Sequence, residues 1–396
     1  MSAKKIVMMV VAVFIVAVAL LLLFNSRLEE PPIKTKTLVE NSTGNKESTE
    51  INYQEQTLIP IKHKYITEYQ LPSKSGPNSM LVDDHGIVWT VGSYSHKLYM
   101  LDPNTNKMQS YQIPGEDDTR DRMSWSMLKD NEGFIWFGQF GSDKLWRFDP
   151  DHEKFVDFHT MTSSPFQMKL DSKTDEIWFT TLSNDKLGVV QKIENDVNSD
   201  NGYRINEFSI GNGSYPSGLT VQGDSIWVTE LEKGKIAKFT SIRNYDGEIT
   251  GIKKTVEIPI TNEPFFSFPT DILFTDNNTS WITEHGPSTI TQYTMSTHDV
   301  TRIPTAQNKY HVSSLPFWMR ESHDGNGIWF NEHEGGSIAF LDTHNMTLTE
   351  FELPTNSPVI MLNLALDPQN SHKAWFSEWD LDKIGVVEIG VPVPFE

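Results

Sequence analysis

Trp89-Thr90-Val91, Trp136-Phe137-Gly138, Trp178-Phe179-Thr180, Trp227-Val228-Thr229, Trp281-Ile282-Thr283, Trp329-Phe330-Asn331 and Trp375-Phe376-Ser377 decide the fold. The spacings between these tryptophans are 47, 42, 49, 54, 48 and 46 residues, the period of one four-stranded propeller blade. Working outward, each unit carries the same signals in the same order. An alternating segment ends in proline, as in Thr67-Glu68-Tyr69-Gln70-Leu71-Pro72 and Thr349-Glu350-Phe351-Glu352-Leu353-Pro354. A proline or tryptophan then opens an apolar strand, at Pro77, Trp125, Pro165, Pro216, Pro269, Pro316 and Pro358. An Asp/Gly turn, the Trp strand and a segment such as Lys144-Leu145-Trp146-Arg147-Phe148 follow. Four short strands per unit, punctuated by turns, predict an all-β, seven-bladed β-propeller over residues 61–396. The first strand-like segment, 65–71, has no inner strands of its own, and the last unit lacks an outer strand. Pairing the two closes the ring and removes two exposed edges.

The N-terminus reads differently. Residues 6–24 contain no charge, proline or glycine. As a helix they span roughly 28 Å, close to the hydrocarbon thickness of a bilayer. Lys4 and Lys5 precede the run, and Glu29 and Glu30 follow it. That bias puts the N-terminus in the cytoplasm and the rest outside. The run ends Leu22-Leu23-Phe24-Asn25-Ser26, without a small-x-small cleavage site, which favours an uncleaved signal anchor. The expected organisation is therefore a cytoplasmic start and transmembrane helix (1–24), a disordered polar stalk (25–60) and the propeller (61–396).

Composition narrows the partners. With 33 basic and 53 acidic residues the formal charge is −20, so no surface neutralises phosphates and nucleic acid is excluded as a partner. There is no cysteine, hence no disulfide, thiolate nucleophile or cysteine-ligated metal. A monomeric propeller is expected, attached to the membrane through the N-terminal helix.

The repeats resemble those of the streptogramin B (virginiamycin B) lyase family, whose units read Ile-Thr-Glu-Tyr-x-Leu-Pro, Pro-x-x-Ile, Asp-Gly-x-Leu-Trp-Phe-Thr-Glu and Lys-Ile-Gly-Arg. The resemblance covers about residues 63–390 and implies the propeller fold. For the family it also implies opening of a depsipeptide lactone by elimination, with a histidine base and two glutamates holding magnesium. Those residues do not carry over. The family's last blade opens Glu-Pro-His-Gly, and the run aligned here is Ser357-Pro358-Val359-Ile360. The second metal glutamate is replaced by Trp379, and a substrate-contacting histidine after Pro316 by Phe317. Valine cannot accept a proton.

Other residues occupy the same mouth of the channel. Antiparallel pairing sets the start of each inner strand beside the end of its Trp strand. Glu230, Glu284, Glu332 and Glu378 recur at one repeat position, followed by His285 and His333 in two blades, with Asp271 on an adjoining strand. Carboxylates and imidazoles there could hold Mg²⁺ or Ca²⁺ or form an acid/base pair. Equally, a repeated glutamate serves repeated packing. Trp125, Phe166, Phe317, Trp318 and Trp379 form a second set, suited to the apolar wall of a ligand pocket or to the core. Two functions stand open: binding of a small molecule, peptide or protein at the mouth, and a metal-assisted lyase or hydrolase acting on a lactone or cyclic depsipeptide. A purely structural envelope role is a third.

The topology is testable directly. Protease added to intact cells should digest the propeller; full protection until lysis would contradict an extracytoplasmic location.

Overall fold

Each blade begins with a strand that proline can open because its first N–H faces away from the ladder. A computed structural model describes residues 53–115, 123–142, 144–161, 165–193, 202–261, 267–305, 313–355 and 359–390. The anchor helix, residues 25–52 of the expected stalk, Ser357 and Pro358 lie outside the described residues. Among the described residues no helix is long and apolar enough to cross a membrane.

These residues form seven antiparallel sheets. The inner strands, blade by blade, are Pro77–Val82, Met127–Lys129, Pro165–Asp171, Pro216–Gln222, Pro269–Phe274, Pro316–Glu321 and Met361–Asp367. Ring closure follows the expectation from the sequence. Ile66–Gln70 pairs antiparallel with the last strand, Lys383–Glu388, in the register Ile66↔Val387 to Gln70↔Lys383. The seventh blade thus takes its fourth strand from the start of the domain.

The seven tryptophans lie between blades, and each is at most 5 % exposed. Each packs with the residue fourth from the opening proline of the next blade, or from its equivalent (Ser124 in the second blade, where the sequence suggests Trp125, and Met361 in the seventh): Trp89 with Met127, Trp136 with Met168, Trp178 with Leu219, Trp227 with Ile272. Trp281 meets Met319 and Trp329 meets Leu364. Trp375 meets Met80 of the first blade and completes the circle. A large aromatic in each gap supplies the apolar burial that a single twisted sheet cannot, and truncating one to alanine typically costs about 3–5 kcal/mol.

Two further expectations need correction. The segment expected to be stalk as far as residue 60 is partly strand. Tyr53–Thr57 pairs with Lys107–Gln112 as a fifth strand of the first blade, and Ile61–Lys62 adds beyond Ile66–Gln70. Both cover sheet edges that would otherwise face water unpaired. The seventh inner strand also opens later than Pro358: Met361 stands opposite Glu378, just as Pro316 stands opposite Glu332. The Pro358–Trp375 separation is seventeen residues, against eleven to thirteen between proline and tryptophan in the other blades that open with proline. The additional residues fall partly before Met361 and partly in the turn after Asp367.

Closure can be measured. Deleting residues 61–71 should cause aggregation or a clearly lower melting temperature than a cut at residue 50. Equal melting temperatures would mean that the ring closes without Ile66–Gln70.

Candidate functional site

The mouth is built by two columns of residues. Counting the opening proline or its equivalent as first, the second residue of the inner strand meets the fourth residue after the blade's tryptophan. Backbone bonds tie the fourth residue after the tryptophan to the residue just before the inner strand's opening position: His285 N donates to Phe268 O (3.1 Å), His333 N to Leu315 O (2.9 Å) and Trp379 N to Ile360 O (3.0 Å). Bonds from neighbouring blades pin the inner strands, with Thr283 Oγ1 donating to Phe317 O (2.6 Å) and Asn331 Nδ2 to Met361 O (2.8 Å).

The aromatic and imidazole residues converge. Trp125 lies 5.1 Å from Phe166 and 5.9 Å from Phe317 between ring centroids. Phe317 lies 5.2 Å from His285 and 5.1 Å from His333, and the two imidazoles are 5.8 Å apart. Phe166 also touches Trp318, at 5.3 Å. Rings from the second, third, fifth and sixth blades therefore meet across the channel. Burial holds the His333 imidazole down to about 4, and burial with His333 beside it holds His285 well below its ordinary value. Both are neutral near pH 7. Among the described residues, His285 Nε2, Trp125 Nε1, Trp318 Nε1 and Trp379 Nε1 have no hydrogen-bond partner. The mouth thus combines packed rings, with Phe166 and Phe317 each 4 % exposed, and a few buried polar atoms that lack partners.

The four glutamates do not join it. Neighbouring residues on a strand face opposite ways, so each turns from the mouth toward the outer strand of its own blade. Glu230 accepts from Lys254 Nζ (2.8 Å) and Ser214 Oγ (3.2 Å). Glu284 accepts from Ser267 Oγ (2.6 Å), Arg302 Nε (2.9 Å) and Thr291 Oγ1. Glu332 and Glu378 have acidic neighbours instead. Burial and Glu350 push Glu332 up to about 10. Burial and Glu68 raise Glu378 well above the usual carboxyl range, while Lys383 Nζ donates to Glu68 at 3.2 Å. Among the described residues no group of three or more His, Asp or Glu side chains is placed to share a metal ion.

Asp271 and Trp318 lie deeper, as third residues of their inner strands. Asp271 is 1 % exposed and braces three blades, accepting from Gln167 Nε2 (2.8 Å), Ile272 N (2.8 Å) and Met319 N (2.9 Å). Trp318, 1 % exposed, fills the same level. Trp379 packs with Leu362 and Met123 in one apolar cluster, against Trp125, Phe140 and Ile360, and its ring lies 5.0 Å from Tyr94. Sequence reasoning missed Phe140, Leu362 and Ile360; the column four residues after each tryptophan would have found the first.

The shifted register changes which residues answer to the family's Glu-Pro-His-Gly. With Met361 in the proline place, the glutamate and histidine places fall on Ile360 and Leu362, rather than on Ser357 and Val359. Both belong to that apolar cluster, as does Trp379 at the second glutamate place.

The profile of the virginiamycin B lyase family matches residues 60–309. The chain belongs to the virginiamycin B lyase family. Virginiamycin B lyase from Staphylococcus aureus has a TM-score of 0.61 at 20 % identity, covering 86 % of this chain and 100 % of that one. A catalytically inactive histidine-to-alanine form of the Staphylococcus aureus enzyme, with quinupristin, scores 0.64 at 21 % identity, covering 85 % and 100 %. A streptogramin B lyase structure scores 0.65 at 22 %, covering 82 % and 97 %. At this identity the structural likeness speaks to fold alone. No curated protein matches the sequence. The family match ends before the sixth and seventh blades, where the resemblance places most of the chemistry.

Glu332 carries a measurable signature. Below the ordinary glutamate range, folded and unfolded chains both keep its proton. As pH rises toward about 10 the unfolded chain ionises while the buried group retains its proton, so stability falls. Glu332→Gln should therefore gain on the wild type as pH rises from 5 to 9, with a melting-temperature difference at pH 9 of at least about 2 °C. A pH-independent offset would contradict the buried neutral carboxyl.

Proposed function

We propose that this chain is a membrane-tethered, extracytoplasmic member of the family that binds a peptide-like or small-molecule ligand at the aromatic mouth and does not open the streptogramin B lactone. One observation carries the reading: the places answering to the family's base and metal ligands are Leu362, Ile360 and Trp379, packed into one apolar cluster. An elimination needs a base at the substrate and a cation or dipole to stabilise developing negative charge. Leucine, isoleucine and tryptophan supply neither a base nor a hard-metal ligand.

A lyase or hydrolase relocated to Glu284, His285, Glu332 and His333 is the competing reading, and the closeness of the two imidazoles is the feature that favours it. Against it, an imidazole held down to about 4 is a weak base at neutral pH. Glu284 is already bonded to Ser267 and Arg302. Binding accounts better for stacked rings with unpaired N–H groups.

Purified full-length protein in detergent, mixed with quinupristin, should show a saturable change in tryptophan fluorescence that Trp125→Ala abolishes. It should show no lactone opening above background, with or without magnesium. Enzyme-like opening would refute the proposal, and its loss in His285→Ala or His333→Ala would place the chemistry there. Absence of binding, or binding untouched by Trp125→Ala, would contradict a peptide-like ligand at this mouth.

A further inference from the structure

The central channel changes character along its axis. At the level of the third inner-strand residue it is packed shut: Ser126, Gln167, Asp271, Trp318 and Asn363 are each at most 5 % exposed. Two residues further on, the fifth position is partly exposed in five blades, at Leu81, Lys169, Thr220, Leu273 and Arg320. Behind the packed level, the channel therefore opens only toward the mouth opposite the aromatic one. Two of its fifth-position residues are cations, and they sit on the third and sixth blades. Blades three apart in a ring of seven nearly face each other across the axis.

The two cations share one nearby carboxylate, Asp271, which is ion-paired with Arg320 and also attracts Lys169. The oxygens of Asp271 also accept from Gln167 Nε2, Ile272 N and Met319 N, neutral donors that leave its charge in place. Arg320 Nη1 stands 3.8 Å from Asp271 Oδ2, beyond hydrogen-bond reach, and donates to its own neighbour Met319 O at 2.7 Å. Among the described residues Lys169 forms no hydrogen bond or ion pair. Burial, with Arg320 nearby, pushes the Lys169 ammonium down to about 8 although Asp271 pulls the other way; burial also lowers Arg320. Of the carboxylates at that end, Asp83 accepts from Trp89 Nε1 and Asp130 from Trp136 Nε1, while Asp171 Oδ2, two residues beyond Lys169, is buried without a hydrogen-bond partner among the described residues. A chain of formal charge −20 thus places two cations against one shared carboxylate in one sheltered space.

We infer that the channel half lined by Lys169 and Arg320 is a binding site for a small oxyanion, a carboxylate or phosphate. The guanidinium offers a planar pair of donors and the ammonium a point charge from the opposite wall, which together suit an anion held between them. This site is separate from the aromatic mouth, because Trp318, Gln167 and Asp271 lie between the two.

Melting of the full chain, followed while sodium acetate or inorganic phosphate is titrated against sodium chloride at matched ionic strength, tests the inference. Either oxyanion should raise the melting temperature saturably, while neutral acetamide should not. Lys169→Met and Arg320→Met should each weaken the effect by roughly tenfold or more, the size of one lost charge-assisted contact. Lys169→Arg, which keeps the charge, should preserve it, and serves if the methionine variant fails to fold. A shift no larger than that of chloride, or one unchanged in both methionine variants, would overturn the site.

Discussion

A ring of sheets has to be closed on itself, and here five residue pairings do it. The ladder from Ile66↔Val387 to Gln70↔Lys383 joins the two ends of the domain. Without it the seventh blade would present Lys383–Glu388 as a bare edge, and the gap between the seventh and first blades would lose its covering strand. In that gap Tyr69 stacks on Trp375, with ring centroids 5.6 Å apart. Both belong to the cluster that holds Met80, Val82 and Val88. Main-chain pairing and side-chain packing therefore close the circle together.

Closure sets where every repeated position points. The column three residues after each tryptophan is directed outward over its own sheet and becomes structural: Glu230 with Lys254, Glu284 with Arg302. The next column is directed at the mouth and is free to vary, giving Phe140, Leu182, His285, His333 and Trp379 in different blades. A propeller thus separates the residues that hold it together from those that meet a ligand by one step along a strand. Family membership fixes the first kind and leaves the second open, which is how a member can carry leucine and isoleucine in place of a base and a metal ligand.

Most of the fold was legible because its determinants are local and repeated. The Trp spacing, the proline at the strand start and the orphan segment 65–71 each translated into blades, inner strands and closure. The seventh inner strand was misread because Pro358 imitates the proline that opens most of the other blades. Only its longer separation from Trp375 distinguishes it. The strand Tyr53–Thr57 was hidden in polar sequence, since an outermost strand with one sheet neighbour needs no apolar alternation. In the site, His285, His333, Trp125, Phe166 and Phe317 were brought together as a column argument suggests. The direction of the glutamates was not legible without Lys254, Arg302, Glu350 and Glu68, which lie one or two strands away or at the far end of the domain. Lys169 and Arg320 escaped notice because their meaning comes from facing one another across the axis, a relation that only the closed ring creates.

Hydrogen–deuterium exchange of the last strand tests closure most directly, since those of its amides that point away from Asn370–Glu378 are shielded only if Ile66–Gln70 lies against them. Paired on both sides, the amides of residues 384–387 should exchange as slowly as those of the central Trp strands. Exchange on the timescale of an exposed edge strand would contradict a ring closed by this ladder, and with it the placement of both channel mouths.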